Sequence, residues 1–472
     1  MHRANTLLSE NHTVINRINR FMRSPAYILC IMLLTALANL FSLELVTYSA
    51  YALLIAYICI FGADLLPLLP IFIFAYISPS RANNPGRNAS SIFSFDNGGW
   101  YIICLGAIIF TCVVYRVIKD RKNFFGKKYQ LAAGILILFL SYLVGGIGSE
   151  MKLEMQLKST LFGFIQGCSI AVPYFLLCGG VDWKKTKKDY LFWTAISVGI
   201  LLLIEIGWIY LTGKNVINKD GVIIRSKLYS GWGVCNNIGF LLVMMVPYVF
   251  YLAAKSSRGW LYCILGATFM IGIIFSCSRN ANLTGLAIFI MSVSYMLYLS
   301  PDRKKNALTL IIYGLVVLAV YLIWKDVFYQ LFEGTIKKGL STGNRDEIFE
   351  EGVELFTMEP LLGNSFFSPG YLPWEFSKSK SFSSFFPPRW HNTFVQLMAC
   401  CGIFGVGAYI YHRVQTAILL LRKRSREKIF IAISIIALLV SSMMDCHFFN
   451  IGPTMFYAMA LAFAENAEFC ED

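Results

Sequence analysis

The sequence predicts an all-α fold: a polytopic membrane protein of about 12–14 transmembrane helices with one large extracytoplasmic loop. Three observations carry this expectation. The 472 residues are 57% hydrophobic and only 14% charged, whereas soluble domains carry about 25% charged residues. Apolar runs of membrane-crossing length recur along the chain, whose mean hydropathy is +0.61. Lys and Arg gather in alternate connecting segments, the asymmetry that orients helices in a membrane. A formal net charge of +14 would suggest nucleic acid as the partner of a soluble protein. Here the basic residues hold topology against anionic membrane lipid, and no nucleic-acid partner is expected. The thirteen cysteines lie in or beside apolar runs without metal-type spacing, so they read as small buried hydrophobes.

In chain order the first expected spans are 26–43, 46–62 and 65–78. The run from Tyr27 follows Arg17, Arg20 and Arg23 as a signal peptide would, but no small-residue cleavage site follows, so it reads as the first helix. The next two are the weakest, with Pro67 and Pro70 in the short 65–78 run, which marks one of them as a candidate re-entrant segment. Spans at 99–116, 129–147, 160–180 and 190–211 complete an N-terminal helical region, 1–220. A central region, 221–324, holds spans 232–253, 259–275, 281–299 and 307–324. The hydrophilic stretch 325–391 separates these from spans 392–411, 428–444 and 449–464 in the C-terminal region, 392–472.

Fourteen crossings place both termini on one side, and charge identifies that side as cytoplasmic. The N-terminus and segments 116–128, 181–189, 255–258, 301–306 and 412–428 hold 25 of the 41 Lys and Arg residues. The 325–391 loop therefore faces outward. Within it, 371–390 is rich in Ser, Phe and Pro and suggests an aromatic lid or a linker.

Four outward positions carry chemistry that an ordinary loop does not need: Arg225, Arg279, Arg345 and His391. Asn344 suits a helix N-cap, with Glu347 completing a capping box, so Arg345 opens a helix whose face runs through Phe349, Gly352/Val353 and Phe356 until Pro360. A guanidinium beside free helix amides is a ready diphosphate site. Arg279 lies in the polar joint Ser276-Cys277-Ser278-Arg279-Asn280 between two apolar runs, and Arg225 precedes Asn236 and Asn237 at the mouth of the next span. Taken singly, each has an ordinary use as a cap, a solvated charge or a snorkelling side chain. His391 stands where the loop re-enters the membrane, next to Asn392, which is positioned to orient the ring; histidine changes charge near neutrality and suits a general base. His447, beside Asp445, is a reserve candidate. No Asp-x-Asp or His/Glu cluster offers an outward metal site, no nucleotide motif occurs, and no cofactor is expected.

Along residues 225–410 the chain resembles the bacterial O-antigen ligase and O-antigen polymerase family of membrane glycosyltransferases. The matching pieces are the Arg225 loop with Asn236, Asn237 and Pro247; Ser276-Cys277-Ser278-Arg279; Gly343-Asn344-Arg345; Glu359-Pro360-Leu361-Leu362-Gly363; His391-Asn392; and Gly402-Ile403-Phe404-Gly405. The family often has Gly-Arg where this chain has Gly-Asn-Arg, and Gly or Ala where Asn280 follows Arg279. The resemblance implies a GT-C-like helical fold in the bacterial cytoplasmic membrane, with a metal-independent site on the extracytoplasmic face. It implies an undecaprenyl-diphosphate-linked oligosaccharide as donor and a glycan or lipid as acceptor. Arg279 and Arg345 would neutralise the departing diphosphate and His391 would take the acceptor proton. Arg225, Asn344, Asn392 and Ser278 would contribute to diphosphate or glycan binding. Polymerase-type activity is the first expectation and ligation of finished glycan to lipid or protein the second. A flippase for the same lipids would need charges along mid-membrane helices, where Asp64 and Glu205 are the main candidates. A peptidoglycan-type polymerase would rely on an outward carboxylate, for which Asp445, Glu150 and Glu154 are available without a recognisable setting. The sequence leaves the oligomeric state open.

Overall fold

The computed structural model describes residues 14–41, 43–77, 99–147, 153–212, 216–230, 233–337, 345–366 and 390–471. Its helices are α1 (Val14–Met22), α2 (Pro25–Leu40), α3 (Glu44–Phe61), α4 (Leu68–Ile77), α5 (Gly99–Lys119) and α6 (Arg121–Phe125). There follow α7 (Ala132–Val144), α8 (Leu153–Gly180), α9 (Tyr190–Thr212), α10 (Cys235–Lys255), α11 (Gly259–Phe275) and α12 (Arg279–Leu299). The last are α13 (Arg303–Ile323), α14 (Lys325–Lys337), α15 (Arg345–Met358), α16 (Thr393–Leu421), α17 (Arg426–Ser442) and α18 (Ile451–Asn466). The chain is a polytopic helical membrane protein. A helix stands at each expected span, and among the described residues six are long and apolar enough to cross a membrane, or seven if the bent pair α1–α2 is one span. Four others, in α3, α4, α7 and α11, are apolar but only 10–17 residues long. One two-residue hairpin, Tyr229–Ser230 with Gly233–Val234, interrupts the helical pattern just before α10.

Helix α10 is the hub. Its apolar window is wholly buried, as expected of a helix that is hydrophobic all round, and it packs on α9, α11, α12 and α17. A second packed group joins α8 to α7 and α18, and α7 to α16. By contrast α13 is almost entirely exposed along its apolar length, so it lies at the periphery where lipid would surround it.

The basic connecting segments gather at one end of the bundle. Arg23 pairs with Asp64, which also accepts from the backbone N–H of Asp182 at 3.0 Å and of Leu66 at 3.3 Å. Lys255 bonds Asp189 at 3.0 Å, the Tyr251 hydroxyl donates to Glu427 at 3.0 Å, and Lys423 meets Glu468 at 2.7 Å. Lys305 lies over the Trp260 ring at 5.7 Å. These paired charges form a basic belt at that end.

Two features depart from the simple reading. The 325–391 stretch contains α14 as well as the expected helix α15; the expected lid at 371–390 lies, apart from Trp390, outside the described residues. The span expected at 392–411 is a longer helix, Thr393–Leu421, broken at Gly402, where φ is 61° and ψ −158°. Its two arms fold toward each other, bringing the Phe394 and Tyr409 rings to 5.4 Å. The break frees backbone groups deep in the protein, and the Glu359–Ser365 turn satisfies them. Asn364 N–H donates to Ala399 O (2.8 Å), Ser365 N–H to Cys400 O (3.1 Å), and Ile403 N–H to Pro360 O (2.8 Å). Non-helical backbone at membrane depth requires such cover. A Cβ on Gly363 would stand 2.5 Å from Cys401 N, and one on Gly402 2.5 Å from Leu361 O, so the two glycines permit the splice from either side. This is the physical content of the Glu359–Gly363 and Gly402–Gly405 motifs.

Candidate functional site

At the end opposite the basic belt, the starts of α10, α12, α15 and α16 meet the end of α17. Arg225 sits in the 3-10 turn Arg225–Lys227 before the hairpin. Its Nε donates to Cys235 Sγ at 3.3 Å, and Nη2 donates to Asn236 Oδ1. Arg279 is the first residue of α12 and Arg345 the first of α15; both are half-buried. The guanidinium groups of Arg225 and Arg345 lie within electrostatic range of Arg279. Three segments spread over more than a hundred positions thus bring like charges together. Guanidinium groups gathered in this way would attract an anion brought among them.

His391 is beside this cluster. It has φ 51°, and Cys277, in the joint before Arg279, has φ 56°. A positive φ on a non-glycine residue costs on the order of 1–3 kcal/mol and is tolerated where surrounding contacts enforce it. For His391 those contacts are visible. The Trp390 N–H donates to Gln396 Oε1 at 3.1 Å, and Asn392 caps α16 by accepting from Phe394 N at 2.8 Å. The His391 Nδ1 stands 3.3 Å from Asp445 Oδ1, with side-chain exposures of 27% and 7%, so the ring meets solvent while the carboxylate is buried.

Asp445 is the residue that sequence reasoning left without a setting. Its Oδ1 also accepts from Cys446 N–H at 2.8 Å, and its Oδ2 from Asn236 Nδ2 at 3.1 Å. Buried Gln396 brackets the pair: the oxygen that accepts from Trp390 N–H, next to His391, also accepts from Cys446 Sγ at 3.4 Å, next to Asp445. The available signal was a lone carboxylate at the end of an apolar run, two residues before a histidine. That histidine, His447, is buried and stacked on Phe240 with centroids 4.2 Å apart, so the reserve candidate is part of the core while its neighbour faces His391.

The remaining expected residues fall as follows. Asn392 does not orient the His391 ring; besides capping α16, its Nδ2 donates to Met443 O at 3.0 Å. Ser278 is fully buried and caps α12, accepting from Ala281 N at 3.3 Å. Asn344 lies outside the described residues, as does Glu150. The buried face of α15 is Ile348, Gly352 and Leu355, one position round from the expected Phe349–Phe356 face. The cause is Gly352, against which Trp390 and Val395 pack directly. The Asn364 side chain closes the helix by donating to Leu355 O at 2.6 Å. Arg345 is thereby held at the near end of a helix docked on the first turn of α16.

The chain matches no protein-family model and no curated protein.

Proposed function

We propose that the protein is an integral-membrane inverting glycosyltransferase of the O-antigen ligase and polymerase kind. It takes glycan from an undecaprenyl-diphosphate-linked donor at the outer face of the bacterial cytoplasmic membrane, in cell-surface polysaccharide synthesis. The bundle crosses the membrane about 12–14 times with both termini inside, the basic belt being the cytoplasmic end. The carrying observation is the convergence of Arg225, Arg279 and Arg345 beside a His391–Asp445 pair, at the end away from that belt.

The chemistry follows from the groups. With Nδ1 held by Asp445, His391 presents Nε2 to the acceptor hydroxyl and removes its proton. The acceptor oxygen attacks the anomeric carbon from the side opposite the diphosphate, the carbon–oxygen bond to diphosphate breaks, and configuration inverts. The electron pair leaves on the diphosphate, where three preorganised guanidinium groups stabilise it; one such donor contributes roughly 3–4 kcal/mol of barrier by analogy with oxyanion sites. Within the bundle Glu205 is engaged by Asn39 and Arg413 by the Tyr409, Phe448 and Tyr457 rings, while Asp64 pairs with Arg23 in the belt. That favours chemistry at one end over a charged transport path.

Polymerisation of repeat units is the preferred form and ligation of finished glycan the alternative. Glycan profiles of cells lacking the protein, and of cells carrying His391→Ala, separate them. Single repeats without long chains mark a polymerase; accumulated long lipid-linked chains mark a ligase. Unchanged glycans in both strains rule out the enzyme.

A further inference from the structure

Asn236 and Asn237 lie in the first turn of α10, whose apolar window is wholly buried. Their side chains reach both ends of the segment that carries Asp445. Asn236 Nδ2 donates to Asp445 Oδ2 at 3.1 Å, and Asn237 Oδ1 accepts from Asn450 Nδ2 at 2.6 Å. Asn236 Oδ1 meanwhile accepts from Arg225. An unbroken chain results: Arg225 guanidinium, Asn236 amide, Asp445 carboxylate, His391 imidazole.

The order of donors and acceptors in this chain is specific. Arg225 can only donate and an ionised Asp445 can only accept, so the residue between them must accept at one end and donate at the other. Asparagine does both at this reach. An aspartate keeps the bond to Arg225 but sets two carboxylates against each other; an alanine or leucine loses both bonds.

We propose that Asn236 is a positioning residue that couples the donor-binding Arg225 to the Asp445–His391 pair, so that diphosphate capture and orientation of the base are set together. The inference rests on the glycosyltransferase reading of the arginines and the histidine. A chain of charge-assisted bonds transmits a change at one member to the others, and removing one member of such a unit is not additive with removing the next.

The test is a double-mutant cycle on turnover, using purified full-length protein in vesicles. The substrate is the prenyl-diphosphate-linked glycan that accumulates in cells lacking the protein. Asn236→Ala and Asn236→Asp are each expected to lower kcat about tenfold. In an Asp445→Ala background Asn236→Asp, which keeps the bond to Arg225, should not lower it further, because the carboxylate that it would oppose is gone, while Asn236→Ala should lower it only by what the lost Arg225 bond contributes. In an Arg345→Lys background the same substitutions should multiply with the existing loss. A merely structural role for Asn236 would depress turnover equally in both backgrounds, and that result overturns the inference alone. Wild-type turnover unaffected by Asn236→Asp, where the fold keeps its bond to Arg225, also overturns it. A wild-type protein that neither turns over the glycan nor binds farnesyl diphosphate overturns the glycosyltransferase reading, and the inference with it.

Discussion

His391 and Asp445 are 54 positions apart and meet at 3.3 Å. At the residue scale the site is defined by such pairings rather than by residue types. His391 was legible in the sequence as a lone histidine re-entering an apolar run. Asp445 was not, because a carboxylate's role depends on which side chain faces it. The proposed division of labour gives an ordered prediction. His391→Ala should reduce turnover by about 10²–10⁴, the range for loss of a general base. Asp445→Ala should cost less, about tenfold to a hundredfold, since it orients the base without touching the proton transferred. Arg345→Ala should act on the leaving group and cost about 3–4 kcal/mol of barrier, partly restored by Lys. Steady-state kinetics on the lipid-linked glycan checks the order; Asp445→Ala with wild-type turnover would detach the carboxylate from the mechanism.

At the element scale, α15 and the broken α16 decide where Arg345 and His391 stand. The end of α15 was readable from Pro360, and its start from the capping pattern. Its buried face was not, because Gly352 serves the packing of Trp390 and Val395 rather than the helix's own periodicity. Glu351 lies on this helix with one carboxylate oxygen buried and unbonded. Burial pushes its carboxyl above the usual range, and Glu347 and Glu354 push it the same way. A carboxyl raised in the fold supports the fold fully at low pH and loses that support as pH rises through its folded value. Docking of α15 should therefore loosen as pH rises above the carboxylate range, and Glu351→Gln should remove the dependence. Amide hydrogen exchange across Arg345–Met358 between pH 4 and pH 8 (values of roughly that spread) measures it. Equal protection in both proteins at every pH would contradict the argument. The splice at Gly402 makes a second prediction. Gly402→Ala combines a positive φ with a Cβ 2.5 Å from the Leu361 carbonyl. It should destabilise the protein by about 1–3 kcal/mol or more, read as a lower unfolding midpoint in detergent. An unchanged midpoint would mean that the break is not enforced.

For the whole molecule, charge and hydropathy determine the arrangement of ends. The basic segments were expected on one side from their alternation, and the fold pairs Arg23, Lys185, Lys255 and Lys423 with carboxylates at one end. The site lies at the other end. Impermeant thiol reagents can assign the two faces in a background with the exposed native cysteines replaced. Asp220→Cys, in the exposed loop before Arg225, should be labelled from outside intact cells, and Lys304→Cys only after permeabilisation. The reverse pattern would invert the orientation and turn the arginine cluster toward the cytoplasm.

The sequence by itself determined the class of the protein, the position of its helices and which connecting segments share a side. Those properties follow from the transfer of short segments between water and lipid, which each segment carries locally. It also marked the three arginines and the histidine, because charges at the rim of apolar runs are conspicuous. Only the tertiary structure decided that Asp445 faces His391, that Asn392 and Ser278 serve as helix caps, and that α16 breaks to receive the Glu359–Ser365 turn. Those outcomes depend on which unsatisfied polar groups meet across segments far apart in the chain. Hydrogen-bond satisfaction at depth is a property of the packed bundle, and no single segment contains it.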